Sequence, residues 1–208
     1  MTFGELLSRY YTFIFILVLL LYTIFINRKM YSRVKGRFLT IITFVVLETV
    51  FSALEKYFAA QAQASIWRTV LSTVCYILRP AIIYQMLLII IRDEGKKKRL
   101  LLGSPLFAVS LILLVNMLLS SGPVFSYSEG NLFRTGPLFF VTYGTLVLYL
   151  ILILVTAFIK CDFSDGAGEL LTVLIGVAFI VLNIAGERFI PDYTGGNSEN
   201  AIGLAVLI

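Results

Sequence analysis

Histidine is absent from all 208 residues, which removes the commonest general base and the commonest metal ligand together. Cysteine is scarce. Cys75 and Cys161 give neither a disulfide framework nor metal-ligand spacing. Charge is scarce too: 14% of residues are Asp, Glu, Lys or Arg, against about 25% in a soluble domain. That is too few to cover a soluble globule. A P-loop, a Cys-x-x-Cys pair, a nucleophile elbow and paired carboxylates in a polar cleft are also missing. No apolar run long enough to span holds an aspartate, so an intramembrane protease would have neither an Asp–Asp nor a Ser–His pair. The expectation is a chain with no catalytic residues, no metal and no cofactor.

What the chain has instead is apolar surface: 59% of residues are hydrophobic, with 17 Phe and 11 Tyr. A helix needs about 20 apolar residues to cross a hydrocarbon core of about 30 Å. Apolar runs cover residues 10–26, 38–59, 68–91, 100–120, 138–159 and 170–185. A last run, 201–208, would reach only about 12 Å as a helix. The pattern predicts an all-α, polytopic transmembrane helix bundle of six complete spans and the start of a seventh, whose remainder is expected to emerge in the cytoplasm. The alternative is a complete six-span protein with an apolar tail.

The formal charge of +5 is concentrated between runs. Arg28, Lys29, Arg33, Lys35 and Arg37 follow the first run, and Arg92, Lys96, Lys97, Lys98 and Arg99 follow the third. Two spans separate the clusters, so both fall on one side of the membrane. The positive-inside rule makes loops 27–37 and 92–99 cytoplasmic and the N-terminus external. A signal peptide would carry its positive charge before the apolar run; here the order is reversed, so the first run is a retained helix. The charge is therefore read as topology, with the lipid bilayer as partner and no nucleic acid.

Two charges lie deep. Glu48 is ten residues into the second run and Arg79 eleven into the third, each about 15 Å from its end. An unpaired charge there costs at least about 2.5–3.5 kcal/mol, so the two are expected to face each other. Such a pair is either a polar switch or ligand site, or a buried bridge that fixes helix register. Pro80 removes a helix hydrogen bond beside it. Glu55, Lys56, Trp67 and Arg68 read as interfacial anchors. Asn116 and Asn183 read as hydrogen bonds between helices. The stretches 121–137 (with Phe125, Tyr127 and Phe133) and 186–200 (with Glu187, Arg188, Asp192 and Tyr193) either roof an outward cavity for a small ligand or are ordinary connectors.

Three features carry a resemblance. The first is Asn27-Arg28-Lys29 and Arg37-Phe38 after an external N-terminus, with Glu48 deep in the second helix. The second is Arg134-Thr135-Gly136-Pro137-Leu138-Phe139-Phe140 with Tyr143 at the fifth helix. The third is Glu187 near the end of the sixth helix, followed by Ile190-Pro191 and a polar loop. Together they resemble the N-terminal seven-transmembrane sensory regions of bacterial GGDEF diguanylate cyclases and sensor histidine kinases of the Firmicutes type. The resemblance implies a sensory input module in the bacterial cytoplasmic membrane. Its seventh helix would pass a stimulus to a cytoplasmic output domain, through which the protein forms a homodimer. The outer small-molecule site is expected at Arg134, Tyr143 and Glu187. The competing readings are a small multi-span transporter or permease subunit, with Arg79-Pro80 opposite Glu48 as its polar midpoint, and a structural partner in a larger membrane complex.

Overall fold

The computed structural model describes residues 3–26, 32–59, 66–91, 95–119, 122–128, 131–160, 171, 173–178 and 180–182. Helix dominates them: α1 (Phe3–Ile26), α2 (Ser32–Ala59), α3 (Ile66–Ile90), α4 (Lys96–Leu118) and α5 (Phe140–Lys160), with strands β1 (Phe125–Tyr127) and β2 (Phe133–Thr135) between α4 and α5. Four helices are long and apolar enough to cross a membrane: Val34–Ala59 within α2, α3, α4 and α5. Two shorter apolar helical stretches cover Ile14–Ile26 and Val173–Leu182. The seventh run, together with Cys161, Asn183, Glu187, Arg188, Asp192 and Tyr193, lies outside the described residues.

α2 and α4 begin before their apolar runs, and the added residues are mostly basic. α2 begins at Ser32, so Lys35 and Arg37 sit on helix rather than in a loop. α4 begins at Lys96, making Lys96, Lys97, Lys98 and Arg99 its first turn. Lys and Arg are good helix formers, and a helix satisfies its own backbone whether or not lipid surrounds it. Hydropathy marks the apolar part of each helix and not its ends.

Two compact units divide the chain, one of residues 46–153 and one of residues 1–45 with 154–208. In the second of these, α1 buries Leu17, Leu20 and Ile24, and the first half of α2 buries Phe38, Ile41, Ile42 and Val45. Both sets follow helical spacing. On the other face of α1, Phe15, Tyr22 and Phe25 turn outward, as suits a lipid-facing surface.

In the 46–153 unit, α3 packs on α4. Val109, Leu113, Val124 and Phe125 form a closed apolar cluster, flanked by Tyr76, Ile77, Leu106 and Phe139. Pro105 lies inside α4 and cannot donate to the Leu101 carbonyl four residues back. The Ser104 hydroxyl donates to that carbonyl instead, at 2.7 Å. One residue on, the Tyr149 hydroxyl donates to the Leu102 carbonyl at 2.9 Å and accepts from the Leu106 amide at 3.1 Å. Those two groups would pair with each other in a regular helix. An α5 side chain thereby stitches the proline-bearing turn of α4, as hydrocarbon surroundings require of any freed backbone group.

The stretch after α4 is a hairpin that hydropathy does not disclose. β1 and β2 pair antiparallel, with Phe125 opposite Thr135, Ser126 opposite Arg134 and Tyr127 opposite Phe133. Asn116 is not an interhelical bond. Its side-chain oxygen accepts from the Val124 and Phe125 amides at 2.7 and 3.3 Å, and its amide donates to the Phe125 carbonyl at 3.1 Å. It fastens the hairpin to the end of α4. Gly136 is held where a β-carbon would overlap the Pro123 carbonyl, so the hairpin closes only with glycine there.

Candidate functional site

α2 and α3 each place polar side chains at helical spacing on one face. α2 contributes Ser52 and Glu55; α3 contributes Arg68, Ser72, Cys75, Tyr76 and Arg79. The hairpin adds Tyr127 and Phe133, and the nine residues line a cavity of about 240 Å³. At about 30 Å³ per water molecule, that is room for about eight waters or one small polar molecule.

An ion pair stands at each end. At the hairpin end, the Arg68 Nε lies 2.6 Å from Glu55 Oε1. The same guanidinium stacks on the Tyr127 ring, 4.1 Å from its centroid. It also donates through Nη1 to the Asn131 carbonyl and, at 2.9 Å, to the Asn131 side-chain oxygen. Deeper in the helices, the Arg79 Nε lies 3.2 Å from Glu48 Oε1, with side-chain exposures of 24% and 3%. Arg79 also sits over the Tyr76 ring at 5.7 Å. Arg68 and Arg79 are eleven residues apart on α3, so the two pairs are separated by about 16 Å along the axis. The cavity lies along that interval, between charges that cancel.

Asn131 holds the hairpin end together. Its φ of 62° puts it in the left-handed region, where Asn is tolerated better than most residues. Its side-chain amide donates to the Phe58 and Ala59 carbonyls at 2.8 and 3.2 Å, two of the last carbonyls of α2, which have no partner within their own helix. One residue thus caps α2, grips Arg68 and fixes the turn. Tyr127 completes the wall: its hydroxyl is 2.6 Å from the Ser72 hydroxyl and 3.4 Å from Glu55 Oε1. Burial pushes its phenol up from 10.0 to about 12, the Ser72 hydrogen bond opposing and the Glu55 charge adding. Tyr127 is therefore neutral and able to donate across the working pH range.

Of the residues singled out from sequence, Glu48 and Arg79 are brought together. Arg134 is exposed on β2 and Tyr143 is half-buried on α5, its ring edge-on to Phe139. Neither lines the cavity. The reason is strand alternation: Arg134 points to the face opposite its neighbour Phe133, whose ring lines the cavity while remaining 40% exposed. Glu187 lies outside the described residues. Glu55 and Arg68 are not simple interfacial anchors, because they pair with each other and build the cavity wall; Lys56 and Trp67 are exposed. Asn131 and Ser72 went unnoticed in the sequence. The one signal pointing to Asn131 was its place in Glu-Gly-Asn, a turn-forming string. Among the described residues no cluster could hold a metal ion. Comparison with protein families, with curated proteins and with solved structures returns no match.

Proposed function

We propose that the chain is the membrane-embedded sensory input module of a bacterial signalling protein, and that a small polar molecule binds the cavity between α2, α3 and the hairpin. One observation carries this reading: two buried or half-buried ion pairs bracket a polar space of about 240 Å³ inside otherwise apolar helices. Charges are costly at membrane depth and are kept where they serve a site or a switch. The basic turn that opens α4 and the hairpin lie at opposite ends of α3. Under the positive-inside rule the basic ends are cytoplasmic, the cavity faces outward and the N-terminus is external. Six complete spans and a seventh helix then connect the cavity to a cytoplasmic output domain, a diguanylate cyclase or histidine kinase acting as a homodimer.

Coupling requires a ligand that binds two helix arrangements with different affinity. The Glu48–Arg79 bridge joins α2 to α3 below the cavity, where a shift between those helices would be felt. The first test is to read the gene beyond the codon for Ile208. An open frame that completes a seventh helix and enters a cyclase or kinase domain supports the proposal. A stop codon there overturns it.

A second reading has its own observation. Both α3 and α4 contain an internal proline, Pro80 beside Arg79 and Pro105 at the stitched turn, and transporters commonly carry broken helices near the bilayer midplane. Substrate uptake into proteoliposomes of the purified chain would favour a transporter or permease subunit; a sensor shows none.

A further inference from the structure

A second cavity, of about 450 Å³, lies at the opposite end of α3 from the hairpin. Its wall on α4 is a stripe: Lys96, Arg99, Leu100, Gly103 and Phe107 follow one another by one to four residues along a single face. Tyr84 of α3 forms the other wall, its hydroxyl donating to the Arg99 carbonyl at 2.9 Å. Gly103 makes the space between them, since a β-carbon there would lie 3.1 Å from the Tyr84 hydroxyl.

The stripe changes character along its length in the way a phospholipid does. Lys96 is exposed and cationic; Leu100 and Phe107 are apolar and 79% and 73% exposed. From Leu100 to the end of α4 at Leu118 is about 27 Å of helix, close to the hydrocarbon thickness of about 30 Å. That places the Lys96–Arg99 turn at headgroup level and Phe107 about 12 Å below Arg99. The geometry points to a site for one anionic phospholipid: its phosphate between Lys96 and the Arg99 turn, its glycerol region over Gly103, and one acyl chain along Leu100 and Phe107. A zwitterionic lipid would bring its own cation to a turn that already holds Lys96, Lys97, Lys98 and Arg99, so the site discriminates by charge. Anionic lipids are attracted to such basic turns at membrane surfaces in general; the notch at Gly103 turns attraction into a place for one molecule. This inference needs the chain to be in a membrane but does not depend on its sensing anything.

The experiment is native mass spectrometry of the full chain released from mixed phosphatidylglycerol and phosphatidylcholine vesicles. One retained phosphatidylglycerol is expected in preference to phosphatidylcholine. Lys96→Gln, a change at an exposed side chain, should lower its retention about fivefold. Gly103→Leu should abolish it by filling the notch. Lys56→Gln, at the other end of the helices, should leave retention unchanged. Equal retention of the two lipids, equal loss from Lys56→Gln and Lys96→Gln, or displacement of the lipid by inorganic phosphate would each overturn the proposal. If Gly103→Leu does not fold, Lys96→Gln measured against Lys56→Gln still decides it.

Discussion

The Glu48–Arg79 bridge makes an asymmetric prediction. Glu48 is 3% exposed and Arg79 24%, so removing one charge is not equivalent to removing the other. Arg79→Met leaves a carboxylate in a site closed to water, and breaking a buried pair in this way costs about 3–5 kcal/mol. Glu48→Gln leaves a guanidinium that has some access to solvent and still lies over the Tyr76 ring. Its cost should be nearer about 1–3 kcal/mol, that of an impaired hydrogen bond to a charged group. The double variant leaves no uncompensated charge, only the amide introduced at position 48 to be satisfied, and that is cheaper than a buried carboxylate without its partner. It should therefore be more stable than Arg79→Met alone, which requires a coupling between the sites of at least about 1–3 kcal/mol, the cost of Glu48→Gln by itself. Unfolding by denaturant in mixed micelles, followed by circular dichroism, would yield the four stabilities of the cycle. Additive single-variant effects, within about 0.5 kcal/mol, would refute the argument. So would a cost for Glu48→Gln exceeding that for Arg79→Met.

Asn131 should be a sensitive point of the hairpin: Asn131→Ala loses the caps on Phe58 and Ala59 and the side-chain bond from Arg68, while the backbone bond from Arg68 stays, at about 1 kcal/mol per hydrogen bond. Alanine keeps a β-carbon at positive φ without the side-chain bonds that hold Asn there, so Asn131→Gly should be milder by about 1 kcal/mol; hydrogen exchange at residues 122–139 would rank the two. Tyr149→Phe should lower the melting temperature, because the Leu102 carbonyl and Leu106 amide lose the hydroxyl between them, at about 1–3 kcal/mol. Tyr127 should ionise late. With its folded value raised from 10.0 to about 12, the unfolded chain releases its proton first as pH rises, so this residue's contribution to stability falls across that window. Tyr127→Phe should flatten stability against pH there, and tyrosinate absorbance should show one titration step fewer above pH 10.

The residues at depth were legible for a simple reason. Helix rise is fixed and membrane thickness is nearly fixed, so counting along two adjacent apolar runs puts Glu48 and Arg79 at one level. The same counting fails at the membrane boundary. A charge such as Glu55 or Arg68 near the end of a helix can reach water or turn inward to a partner, and only the neighbouring helix decides which. Likewise, strands of three residues are too short to show an alternating pattern, so Phe125–Tyr127 and Phe133–Thr135 passed as a connector. Arg134 looked like a ligand residue because it opens the fifth helix with Gly136 and Pro137. Pairing with Ser126 puts its side chain on the outer face of the hairpin instead.

By itself the sequence determined that long apolar helices dominate this protein, that their ends are marked by basic residues, and that two opposite charges share one depth. Each follows from composition and from the period of a helix, which are properties of a single segment. The tertiary structure alone decided that Glu55 pairs with Arg68, that Asn131 ties α2 to the hairpin, that Tyr149 mends the break at Pro105, and that the polar side chains of α2 and α3 share a cavity. Those depend on which faces meet across 13 to 73 residues of chain, and no one-dimensional period encodes that choice.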